Sequence, residues 1–122
     1  MRVITVEIGG EKRVLCYSLR VIKAIEQKFG GEGEMRAKLT EGTGQAVDIT
    51  CWLMSQLMTG GKKYADKMDM ACPDPLSAED MLDLYDVGDL MEMQRTIQSA
   101  LAAGMTQDVT AESKNAEATP AK

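Results

Sequence analysis

The chain opens on alternation. Ile4, Val6 and Ile8 recur at every second position with Thr5 and Glu7 between them, the period of a strand with one buried face. Gly9-Gly10 follows, a pair that tolerates the positive φ of a tight hairpin turn. Arg13 to Tyr17 then runs back as a second strand, with Leu15 and Tyr17 on one face and Val14 and Cys16 on the other. Two strands alone cannot bury a face. The hairpin therefore requires a helix beneath it, or a strand from another chain beside it.

From Ser18 the period lengthens to that of a helix. Ser18 is placed as an N-cap, Leu19, Ile22, Ile25 and Phe29 form an apolar stripe, and Gly30-Gly31 ends the helix. Residues 30–44 hold five glycines and mixed charges, which predicts a flexible connection with a short helical turn around Met35–Leu39. Gln45 to Met58 is a second helix. Ala46, Ile49, Leu53 and Leu57 form its stripe, and Trp52, Met54 and Met58 widen it. Gly60-Gly61 is expected to break this helix, with a further helix from Lys62 to Met70 ended by Pro73 and Pro75. Ser77 precedes Glu79 and Asp80 as the cap of an acidic first turn. Met81, Leu84 and Tyr85 supply its core face, and Gly88 is expected to interrupt or kink the helix. Leu90, Met93 or Gln94, Ile97 and Leu101 carry the pattern on to Gly104 as a cap. Residues 105–122 contain one Val and no Leu, Ile or aromatic side chain, the composition of a disordered tail. The pattern predicts a single α+β domain over residues 1–104, mostly helical, with a small N-terminal β-hairpin packed on about four helices, and a disordered tail over 105–122.

Composition narrows the chemistry. A length of 122 residues leaves room for one domain. There is no His, which removes Ser-His and Cys-His nucleophile pairs and the zinc sites that mix Cys with His. Cys16, Cys51 and Cys72 form no CxxC, and their odd number in a chain without a signal-peptide pattern predicts reduced thiols in a cytosolic protein. No apolar run approaches the ~20 residues that cross a bilayer. Expected cofactors and metals are none.

Candidate motifs fail one by one. Gly42-Thr43-Gly44 lacks a leading strand and the third glycine of a dinucleotide loop. Gly60-Gly61-Lys62-Lys63 is not a P-loop. Asp83, Asp86 and Asp89 are spaced by three, unlike a calcium loop, and Gly88 is misplaced for one. No polar side chains converge as a catalytic set, so an enzyme is not expected. Neither a basic helix nor aromatics interleaved with basic residues is present, so no nucleic-acid partner is expected.

Two features remain. Charge is unevenly spread: residues 1–38 carry eight basic and five acidic side chains, whereas Met68 to Gln94 holds eight acidic residues and no Lys or Arg. Such a surface either solvates a helix face or steers a basic partner, including the basic end of another copy. The other feature is methionine. There are ten, most of them after residue 50, and flexible thioethers suit both cores and adaptable contact surfaces. Trp52, Met54, Met58, Met91 and Met93 are the expected partner-binding residues. The hairpin edges, with Ile4, Val6, Ile8, Leu15 and Tyr17, are the expected self-association surface.

The order of parts resembles a known family. A short hairpin leads through Arg13-Val14-Leu15-Cys16-Tyr17-Ser18-Leu19-Arg20-Val21-Ile22-Lys23-Ala24-Ile25-Glu26-Gln27-Lys28-Phe29-Gly30 into a glycine-ended helix. A helical middle, the acidic helix from Leu76-Ser77-Ala78-Glu79-Asp80 and a low-complexity tail complete it. Over roughly residues 3–104 this is similar to the small tail assembly chaperones of long-tailed bacteriophages and prophages. The resemblance implies a non-enzymatic protein of the bacterial host cytoplasm. Such a protein binds the apolar tape measure protein, keeps it soluble while the tail tube polymerises, self-associates, and leaves before the tail is finished. It also implies a longer form made by ribosomal frameshifting near the end of the gene. Ser113-Lys114-Asn115 can be encoded as UCA-AAA-AAC, which contains a slippery sequence. Two other classes fit the same residues: a structural phage tail or head-completion component, and a small regulatory or adaptor protein-binding module.

Overall fold

A computed structural model describes residues 3–105. The hairpin forms as the alternation predicts. Strand β1 (Ile4–Ile8) pairs antiparallel with β2 (Glu11–Leu15), Ile4 opposite Leu15 and Ile8 opposite Glu11. Gly9 and Gly10 have φ of 64° and 79°, the two left-handed residues that a two-residue turn between right-twisted strands demands. Five helices follow, one more than the spacing predicts: α1 (Leu19–Phe29), α2 (Glu32–Lys38), α3 (Thr43–Lys67), α4 (Ala78–Leu84) and α5 (Val87–Met105). The architecture is α+β, with the two-stranded hairpin laid against a helical body. None of the helices described is long and apolar enough to cross a membrane.

Helix α3 is the axis of the molecule, and its length corrects the sequence expectation. The expected break at Gly60-Gly61 does not occur; one helix of 25 residues runs through both glycines. The reason is tertiary. A Cβ on Gly61 would overlap the Val14 carbonyl, and one on Gly60 would stand 2.8 Å from the Cys16 carbonyl oxygen. The glycines let the end of β2 lie directly on the helix backbone, where the Cys16 N–H donates to the Leu57 carbonyl at 3.2 Å. Two helical glycines cost roughly 1 kcal/mol each in propensity, which this close packing offsets. The helix stops before the prolines expected to end it. Asp69 takes a left-handed φ of 58°, and the Met70 N–H turns back to the Ala65 carbonyl at 2.8 Å.

The segment after α3 is pinned by side chains. Arg13, buried on β2, donates through Nε to the Ile8 carbonyl at 3.2 Å and through Nη1 to the Asp74 carbonyl at 2.5 Å. Lys62 Nζ donates to the Cys72 carbonyl and Ser55 Oγ to the Leu76 carbonyl, both at 2.8 Å. Ser77 then caps α4, accepting from the Asp80 N–H at 3.0 Å. The break after α4 falls at Tyr85 rather than Gly88. Asp86 and Asp89 cap α5 reciprocally, each side chain accepting from the other's backbone N–H at 3.0 and 3.1 Å. The bond from the Asp89 N–H holds the Asp86 carboxyl below the usual carboxylate range. Gly104 does not end α5 either. It packs on Tyr17, where a Cβ would stand 2.6 Å from the Tyr17 Cβ, and the helix continues to Met105. Of the segment 105–122 expected as a tail, Met105 belongs to α5, and 106–122, with Ser113-Lys114-Asn115, lies outside the described residues.

Helix α1 starts at the Ser18 cap and ends at Gly30 in the left-handed conformation, as its caps predict. Its buried face is rotated from the expected one. Val21 and Ile25 are buried, whereas Leu19 and Ile22 point outward. The glycine seam sets the rotation, because Val21 packs over Gly60. The connection expected to be flexible, with a short helical turn around Met35–Leu39, holds that turn within the longer α2, anchored by buried Met35 and by Glu32, which accepts from Tyr17 Oη at 3.0 Å and from Arg36 Nε at 2.7 Å.

Candidate functional site

The core takes most of the expected contact residues. Met54 and Met58 on α3 and Met93 on α5 are buried alongside Met35, Met81, Leu53, Leu57 and Leu101. They are packing residues, which corrects their expected place on a client surface: a side chain enclosed by its own fold has no apolar area left to give a partner. Trp52 is half-buried against the core. Its ring meets Phe29 edge-on at 5.5 Å, and Lys28 Nζ lies 5.4 Å from the Trp52 ring centre. Met91 is different. Two positions from Met93, it lies on the other side of α5 and is 53% exposed.

Of the expected self-association set, the β2 half is corrected in the same way. Leu15 and Tyr17 are core, and Ile4, Val6 and Ile8 are half-buried against it. The edge of β2 is closed by α3 through Cys16 and Gly61. The outer edge of β1 pairs with no other strand among the described residues.

Met91 stands at an open groove where α2 and α5 meet α3. Met35 and Leu39 come from the α2 side, Ile49, Thr50 and Leu53 from α3, and Met91, Gln94, Arg95, Ile97, Gln98 and Leu101 from α5. The cavity measures about 400 Å³. From Met91 to Leu101 it follows α5 for roughly 15 Å at 1.5 Å per residue. Met35, Ile49, Leu53, Ile97 and Leu101 are the buried floor. The polar groups are largely spoken for. Arg36 Nη1 donates to Gln98 Oε1 at 3.2 Å, bridging α2 and α5, and Arg95 Nη2 donates to Glu92 at 2.7 Å. Gln94 Nε2 reaches Thr50 Oγ1 at 3.4 Å. An apolar trough with a cationic, amide-bearing rim is suited to the apolar face of a helix.

The α2 wall of this groove starts earlier, at Glu32, and is longer than the short helical turn around Met35–Leu39 that the sequence predicts. Its signal was present: Glu32 and Arg36 are an i, i+4 pair, and Met35 and Leu39 repeat at the same spacing. The residues lining the groove include no Asp, Glu or Cys. Burial pushes the Cys16 and Cys51 thiols up, away from the thiolate a nucleophile needs. Among the described residues no group of three or more His, Cys, Asp or Glu is placed to hold a metal ion. Fold and site together describe an α+β protein with an open apolar groove. No protein-family model, curated protein or solved structure matches the chain.

Proposed function

We propose that this protein is a non-enzymatic tail assembly chaperone of a long-tailed bacteriophage or prophage, acting in the bacterial host cytoplasm. Its α2–α3–α5 groove takes apolar helical segments of the tape measure protein and keeps them soluble while the tail tube assembles. The observation that carries the reading is the open, apolar groove with an exposed Met91 at its rim. A long apolar helical client has a continuous face to hide, and a methionine-edged trough accommodates varied side chains along it. A longer, frameshifted form of the same chain is the second partner in this reading.

Co-expression with the tape measure protein encoded beside this gene tests it. Wild-type protein co-purifies with the client, and Met91→Asp, which places a charge where apolar surface is needed, does not. Mass spectrometry of finished virions separates this role from a structural one: a chaperone is absent from the particle, and a tail or head-completion component is present. A gene neighbourhood without a tape measure gene favours the adaptor reading instead.

A further inference from the structure

The outer edge of β1 looks onto a cleft beside α5. The register decides which backbone groups lie on that edge. Ile8 stands opposite Glu11 across the two-residue turn, so the hydrogen bonds of the ladder fall at Ile8, Val6 and Ile4. The N–H and carbonyl groups of Thr5 and Glu7 therefore point away from β2, and both residues are exposed. Between this edge and the helix lies a cavity of about 370 Å³, with Val6 to Gly9 on one wall and Asp89, Glu92 and Thr96 on the other. Val6 to Gly9 extend over about 10 Å at the rise of a strand. Buried Met54 and Met93 close the floor, and half-buried Val6 and Ile8 keep part of their apolar surface. The lining includes no Lys or Arg. One polar atom at the turn end is unaccounted for. Tyr85 Oη is buried with no hydrogen-bond partner among the described residues. It lines the same cavity, 3.0 Å from where a Cβ on Gly9 would stand. A buried hydroxyl left unpaired is costly, and a peptide N–H or carbonyl brought into the cavity removes that cost.

We infer that this cleft takes an extended, basic segment of a partner protein, which adds to the hairpin as a third strand paired with Thr5 and Glu7. Main-chain pairing gives such a segment its hold, and the carboxylates around the cleft select its charge. Glu7 stands on the strand and makes no ion pair among the described residues. Asp89 and Glu92 stand on the helix, where Glu92 also holds Arg95 at 2.7 Å. The segment alternates lysine or arginine with apolar residues, because a strand beside β1 turns every second side chain to the face of Val6 and Ile8. The Tyr85 hydroxyl bonds its backbone where it passes the turn. A second copy is the wrong occupant. Pairing β1 with β1 would set Glu7, Asp89 and Glu92 of the two molecules against each other, with no cation on either lining. Helix α5 gives Met91, Gln94 and Gln98 to the groove and Asp89, Glu92 and Thr96 to the cleft. The two sites lie on different faces, and the inference does not rest on the tail-chaperone reading.

Amide hydrogen exchange of the full chain, with and without a short blocked peptide of alternating lysine and valine, tests it. Two control peptides carry glutamate in place of lysine, or the lysine–valine sequence with its backbone nitrogens methylated, which keeps the charge and loses the N–H donors. At saturation the lysine–valine peptide is expected to slow exchange at Thr5 and Glu7 by about tenfold or more, and the controls to leave it unchanged. Thr5→Pro removes an outward N–H without touching the ladder to β2, and is expected to abolish binding. Glu92→Lys is expected to weaken binding severalfold and to make it less sensitive to salt. Tyr85→Phe is expected to weaken binding without lowering the melting temperature, since its hydroxyl has no partner to lose. Unchanged circular dichroism verifies the fold of each variant, and the methylated peptide puts the same question to the wild-type chain. No binding of the lysine–valine peptide, equal binding of the glutamate peptide, or binding that leaves Thr5 and Glu7 exchange unmoved overturns the inference. So does protection of those two amides in the protein alone, which would mean that the chain itself or a second copy fills the edge. Client co-purification reports on the groove and does not bear on these results.

Discussion

Helix α3 meets its neighbours in two ways. Toward β2 the contact is backbone on backbone: Gly60 and Gly61 admit the Val14 and Cys16 carbonyls, and no side chain lies between. Toward α2 and α5 the contact is made by side chains, and where those leave α3 the surfaces part into a groove bridged by Arg36 and Gln98. The first joint has one possible spacing, fixed by the absence of two β-carbons. The second is set by flexible side chains and can be refilled by others. A seam fixed by backbone contact on one side of α3 thus stands beside a side-chain face that opens into a groove on the other.

Substitutions separate the two most sharply at glycine. Gly61→Ala is expected to cost about 3 kcal/mol or more in denaturant unfolding, because backbone rather than a side-chain tip must move. Gly44→Ala, with open space around it in the first turn of α3, is expected to be neutral or to stabilise by up to about 1 kcal/mol. Equal costs at the two positions would dissolve the seam. Methionine gives the next contrast. Met54→Ala opens a cavity in the core and is expected to cost ~3 kcal/mol, whereas Met91→Ala is expected to change stability by less than about 0.5 kcal/mol.

Tyr17 joins the two regions and yields a smaller, pH-dependent effect. It follows β2, packs on Gly104 of α5, and donates to Glu32 of α2 at 3.0 Å. Burial, reinforced by that hydrogen bond to a carboxylate, pushes its hydroxyl up to about 12 from an ordinary 10. A raised value in the folded state means that the neutral form is favoured there. The associated stability is complete below pH 10 and is lost as pH rises from 10 through about 12. Thermal melts should fall across that window, and Tyr17→Phe should flatten the fall. The buried Cys16 and Cys51 thiols, also raised, add to the loss from their ordinary value of 9 upward.

Features set by local chemistry were legible in the sequence. Gly9-Gly10 between alternating strands, the Ser18 and Ser77 caps and the Gly30 stop all act within a few residues, and each forms where the pattern places it. Features set by a distant neighbour were not. Gly60-Gly61 carries the local signature of a break and became a seam because β2 lies against it. Leu19 and Ile22 carry the signature of a buried stripe, and the same seam rotated α1 to bury Val21 instead. Met91 and Met93 are equivalent in composition, and only the packing of α5 decides which is core. The groove was half legible, through Met91 on α5. Of its α2 wall only the turn around Met35–Leu39 was legible, because the five glycines of residues 30–44 read as a loop.

In the proposed function the groove, and no other face, receives an apolar helix. Backbone amide shifts of the labelled protein, titrated with a helical fragment of the tape measure protein, test it directly. Shifts are expected to concentrate at Leu39, Met91, Gln94, Arg95 and Gln98, and affinity to weaken about tenfold in Met91→Asp, the ~1.4 kcal/mol expected for a partly exposed apolar side chain. Shifts confined to other surfaces, with these five amides unmoved at saturation, would contradict it.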